Sequence, residues 1–136
     1  MAMKITYGVL VNDINPSLLE ISKLGFPVKV PIAHHLIIAE NLIEIEKAAK
    51  IFWDTRTKIL KELSIKDENG EPKVSIINEA SSYKFSDENL IIWNVKFREL
   101  ENEEVEINLK KLDKINFEGV EGITPAILKG IYRLLQ

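Results

Sequence analysis

From Pro31 to Leu63 apolar side chains recur three and four residues apart. Ile38, Leu42, Ile45, Ala49, Phe52, Arg56, Ile59 and Leu63 are separated by steps of 4, 3, 4, 3, 4, 3 and 4, with Arg56 the single charged member. No glycine or proline interrupts residues 32–63, so the spacing predicts one long helix over about 31–63. Ile37, Ala48 and Ile51 widen its apolar stripe. At 1.5 Å per residue this helix is a rod of roughly 50 Å. A compact domain of this length is roughly 30 to 35 Å across. Part of the stripe is therefore expected to find cover on a second copy, with Ile38, Leu42, Ile45, Ala49, Phe52, Ile59 and Leu63 at the interface of a dimer or tetramer.

Other stretches show other periods. Lys4 to Val11 is rich in β-branched and aromatic residues and reads as a strand with Gly8 inside it. Asn15 followed by Pro16 marks a helix start, and Gly25 stands where that short helix would be capped. Lys66 to Lys73 is a polar turn. Val74–Ile77 and Tyr83–Phe85 read as a small hairpin around a polar tip, Asn78 to Ser82. Ser86-Asp87 opens a helix carrying Leu90, Trp93, Phe97 and Leu100 on one side. Glu104 to Leu109 alternates strictly, placing Val105, Ile107 and Leu109 inward. Thr124-Pro125 starts a final helix punctuated at Gly130. The expected fold is a helix-dominated α+β domain over 1–136: the long helix packs with shorter helices and a small β-sheet built from the N-terminal strand and Val105–Leu109.

The 136 residues are 46% apolar and 29% charged, within the range of one folded domain. With no cysteine, disulfides, thiolate metal sites and cysteine nucleophiles are excluded. A net charge of −3 gives no reason to expect general nucleic-acid binding. No apolar run is long enough for a membrane span or a secretory signal, so a cytoplasmic protein is expected. No glycine-rich phosphate loop or nucleophile elbow occurs, and acidic runs such as Glu101 to Glu106 read as solvated surface. The chain is thus expected to be a binding protein and not an enzyme, with no cofactor and no metal.

Two places carry candidate chemistry. His34 and His35 are adjacent, so on a helix they point about 100° apart and cannot chelate one ion. Either one packs and the other is solvated, or the helix start aims both at an anionic ligand. Arg56 sits in the apolar series, where a charge must be paired or must reach solvent. It snorkels to solvent or pairs with a carboxylate of a partner helix, or it lines an anion-binding cleft with Lys50, Trp53 and Lys58.

Several short pieces occur in a telling order: Tyr7-Gly8-Val9-Leu10-Val11-Asn12, Phe26-Pro27-Val28-Lys29, Thr55-Arg56-Thr57-Lys58-Ile59-Leu60, Asp67-Glu68-Asn69-Gly70, Tyr83-Lys84-Phe85-Ser86-Asp87, Glu104-Val105-Glu106-Ile107 and Gly122-Ile123-Thr124-Pro125. This order resembles an uncharacterised family of small phage and prophage proteins of Gram-positive bacteria, over most of the chain. The chain departs from that pattern at Ala33-His34-His35, where the family has a more lysine-rich helix start. The resemblance implies a phage-encoded protein and carries over no catalytic residue. Three roles fit it: an anti-defence protein that binds a host defence protein or a nucleotide-like signal, a virion or tail-assembly accessory, and a small regulator or toxin-neutralising partner.

Overall fold

A computed structural model describes residues 2–77 and 80–136, and side chains outside 75–81. The architecture is helix-dominated α+β, and the described residues form two two-stranded antiparallel sheets. The chain separates into two compact units, Met1–Lys50 with Glu103–Gln136, and Ile51–Asn102. A single domain was the expectation from length. The long helix α3, described below, contributes residues to both units.

In the first unit, β1 (Met3–Thr6) pairs antiparallel with β4 (Glu104–Ile107), Ile5 opposite Val105 and Lys4 opposite Glu106. Ile5 and Ile107 are buried, while Lys4 and Glu106 form an ion pair of 3.8 Å on the wet side. Strand β1 ends five residues earlier than its side-chain composition suggested, because Thr6 turns the chain into a helix. Its Oγ1 accepts the Val9 N–H at 3.2 Å, the capping bond that opens α1 (Tyr7–Val9). Helical backbone then continues through a π-helical turn at Leu10–Ile14 into α2 (Asn15–Ser22). Asn15 is therefore no helix start. Its N–H reaches back five residues to the Leu10 carbonyl. The wider turn directly precedes Pro16, whose ring would crowd the carbonyl four residues back in a regular α-helix. Leu10, Ile14, Leu18 and Ile21 are fully buried along one side of this helical run. It ends at Ser22, short of Gly25, which does not adopt the left-handed conformation of a glycine cap.

The long helix α3 (Ile32–Leu63) has the expected bounds. Its first-unit half buries Ile38, Ile45, Ala48 and Ala49. Asn41 is buried with them, and its amide makes two bonds to the backbone of Lys110, donating to the carbonyl at 2.9 Å and accepting the N–H at 2.8 Å. The C-terminal helix α5 (Pro125–Ile131) is capped as expected, Thr124 Oγ1 accepting the Ile127 N–H at 3.2 Å. Gly130 does not punctuate it. The glycine is buried inside the helix, and a Cβ there would lie 1.9 Å from Ser17 Oγ, so its missing side chain sets how closely α5 approaches α2. Beyond it, Leu112 donates to the Leu134 carbonyl and accepts from Gln136, which fastens the chain end.

In the second unit the polar turn forms as predicted: Asp67 Oδ1 accepts the N–H groups of Asn69 and Glu71, and Gly70 takes the positive φ. The hairpin pairs β2 (Val74–Ile77) with β3 (Ala80–Tyr83), Val74 opposite Tyr83. Its second strand thus begins within the stretch read as a polar tip, of which Asn78 and Glu79 lie outside the described residues. The hairpin does not join the β1–β4 sheet. Helix α4 (Asp87–Asn102) starts at Ser86, whose Oγ accepts the Asn89 N–H at 3.2 Å. Asn89 in turn donates to the Leu63 carbonyl at 2.9 Å and so caps the end of α3.

Candidate functional site

Arg56 is half-buried, and what its guanidinium meets is aromatic. Its Cζ lies 5.5 Å from the Trp53 ring, 5.7 Å from Trp93 and 5.8 Å from Phe97. Phe97 in turn stacks on Trp93 at 5.1 Å, and Trp93 on Phe85 at 6.3 Å. Both helices produce this box by simple spacing. Trp53 and Arg56 are three residues apart on α3, and Trp93 and Phe97 four apart on α4, so each pair shares a face. A planar, weakly hydrated cation over ring faces is a favourable partner for them. Within its own unit the guanidinium thus meets the rings of Trp53, Trp93 and Phe97. Lys58 points about 200° round the helix from Arg56 and is exposed, as is Lys50 in the first unit.

The two histidines separate as the plainer reading had it. His34 is 3% exposed, in a cluster with Phe26 at 4.9 Å and Phe117 at 5.1 Å. Its Nδ1 is 3.3 Å from the Asn116 side-chain amide, while Nε2 is buried with no hydrogen-bond partner among the described residues. Burial pushes the His34 pKa down, the neighbouring His35 adds to this, and Asp113 opposes it. His34 is therefore a neutral core residue and not a ligand group offered to solvent. His35 is exposed, lies edge-on to Phe26 at 5.3 Å, and stands with Ile38 and Leu42 over an apolar hollow of about 230 Å³.

The residues assigned to an oligomer surface are largely internal. Ile38, Ile45 and Ala49 are buried in the first unit and Phe52 in the second, while Leu42, Ile59 and Leu63 are half-buried. The chain's own segments cover the seam, as the Phe52 contacts with Trp53 (4.9 Å) and Phe97 (6.0 Å) illustrate. Ile51, expected to widen the seam, faces out. The exposed large apolar residues of α3 lie elsewhere, at Ile32, Leu36, Ile43, Ile51 and Trp53, and further ones stand on α4.

Sequence reasoning missed a cleft in the first unit, a groove of about 540 Å³ between the helical run Leu10–Ser22 and α5. Lys129, Tyr132 and Arg133 line one side; Asp13, Ser17 and Glu20 line the other. Arg133 stacks on Tyr132 with Cζ 4.6 Å from the ring, and Glu20 holds Lys23 at 3.5 Å. The contact of Gly130 with Ser17 forms the floor and holds the two walls at fixed separation. Lys129 and Arg133 stand on either side of Gly130 near the end of the sequence, and the acidic residues across the groove from them are more than a hundred residues away. Among the described residues no group of three or more His, Asp or Glu side chains is placed to hold a metal ion, and no helix is long and apolar enough to cross a membrane. No family model matches the chain, and comparison with curated proteins and with solved structures returns no significant match.

Proposed function

We propose that the chain is a non-catalytic, phage-encoded binding protein that acts in the host cytoplasm as a homo-oligomer and sequesters a nucleotide-like anion used by host defence. The phage origin rests on the order of short segments quoted above. The observation that supports the ligand class is the cleft between α2 and α5. Its volume of about 540 Å³ falls in the range of small-molecule sites. Lys129 and Arg133 supply charge-assisted donors for phosphate oxygens. The exposed Tyr132 ring offers a face for a base, already used on one side by a guanidinium. Asp13 and Glu20, across the groove, accept hydrogen bonds from sugar hydroxyls or from an exocyclic amine.

Mass spectrometry of the supernatant after heating purified protein tests this directly, together with calorimetric titration of nucleoside mono- and diphosphates and cyclic dinucleotides. A retained or titrated nucleotide is expected, with Lys129→Ala and Arg133→Ala each weakening binding at least tenfold, about the effect of losing one charged hydrogen bond. A clean supernatant and flat titrations across the panel would overturn the ligand class. Recovery of the chain from purified virions would favour the tail-assembly role.

A further inference from the structure

The outward face of α4 carries an unusual arrangement. Ile91 is 66% exposed and Val95 52%, four residues apart and therefore adjacent on one side of the helix, with Ile92 exposed beside them. Glu88 stands three residues before Ile91, and Arg98 three residues after Val95, both exposed. Angular spacing of 100° per residue puts all four within an arc of about 80°, away from the arc of Trp93, Phe97 and Leu100. The pattern Glu88–Ile91–Val95–Arg98 is symmetric about position 93 in spacing and inverted in charge.

We propose that this face is the contact through which a second copy of the chain docks, in an antiparallel two-fold pairing of α4 with its counterpart. A two-fold axis passing by position 93 puts Ile91 against the partner subunit's Val95, and Glu88 against the partner subunit's Arg98, each contact made twice. An unrelated partner would have no reason to match a charge inversion that is internal to this helix, whereas a copy of the chain matches it automatically. The other exposed apolar stripe, Ile32, Leu36 and Ile43 on α3, lacks this property: of the charges beside it, Glu40 is already paired with Lys110 and Lys47 with Glu44. Among the described residues neither Glu88 nor Arg98 has such an ion pair. A three-turn helix face lies at the small end of specific interfaces, so the association is reversible and shifts with concentration. The inference rests on the homo-oligomeric part of the proposed function and is independent of the ligand.

Sedimentation velocity on the full chain over a concentration series tests it. A reversible monomer–dimer equilibrium is expected. Glu88→Arg and Arg98→Glu should each weaken the dimer about tenfold, because each converts two attractive contacts per dimer into repulsive ones. The combined Glu88→Arg/Arg98→Glu chain should return to within about threefold of the original, since the inversion is preserved with its signs exchanged. Circular dichroism should be unchanged throughout, as these side chains are exposed. A wild-type chain that stays monomeric at all concentrations overturns the proposal. So does a dimer insensitive to the single reversals, or one the double reversal fails to restore. Nucleotide titration of the same variants keeps the two readings apart, because loss of the dimer with retained ligand binding, or the reverse, assigns the failure to one of them.

Discussion

Asn41 is 1% exposed inside a helix whose neighbouring buried positions are apolar, and its side-chain amide satisfies both polar groups of the Lys110 peptide unit. Replacing it with alanine removes two hydrogen bonds and leaves a donor and an acceptor of the main chain without partners. Asn41→Ala should therefore lower stability by about 2 to 4 kcal/mol, read by urea denaturation. His34 makes a different prediction. Its folded-state pKa lies below the ordinary value near 6.5, chiefly through burial. As the pH falls below about 6.5 the unfolded chain takes up a proton that the folded chain resists, so stability drops, by at most about 1.4 kcal/mol per pH unit, until the folded-state pKa is passed. Above pH 6.5 the residue contributes no pH dependence. Unfolding curves at pH 7.5 and 5.5 should show a smaller acid loss in His34→Phe than in the wild type; parallel losses would mean that His34 is not the group responsible.

At the scale of elements, the contact of α5 with α2 is the most sharply defined. A methyl group at position 130 would lie 2.7 Å from Ser17 Cβ and 2.8 Å from the Asp13 carbonyl oxygen, as well as against Ser17 Oγ. Gly130→Ala should cost about 1 to 3 kcal/mol by overpacking, despite alanine's better helix propensity, and Ser17→Gly in the same chain should recover part of the loss. Thermal unfolding of the two variants measures both. Which elements could be read in advance follows from the range of the forces that make them. Helix α3 was legible because its spacing of three and four runs unbroken to Leu63, and Thr124-Pro125 and Asp67 announced their caps by local chemistry. The end of β1 was not, because Tyr7 to Val11 has strand-like composition and the switch to helix depends on one capping hydroxyl, Thr6. The seam of α3 was legible as apolar but not as internal. What covers it, such as Phe117 on His34, comes from the far end of the sequence. Arg56 could be singled out by its place in the series, but the rings that hold it required α4 to be set beside α3.

For the molecule as a whole, the π-helical turn ahead of Pro16 has a consequence for how the cleft is aimed. A helix that contains such a turn carries one residue more than a regular α-helix of the same path, so everything after it is rotated by about 100° relative to what precedes it. Ser17 and Glu20 lie after the turn, and β1 lies before it. Shortening the Leu10–Ile14 segment by a single residue would remove this extra rotation and swing Ser17 off Gly130, taking Glu20 out of the groove while its side chain stays chemically intact. The orientation of the acidic wall is thus set by a count of residues and not by their identity.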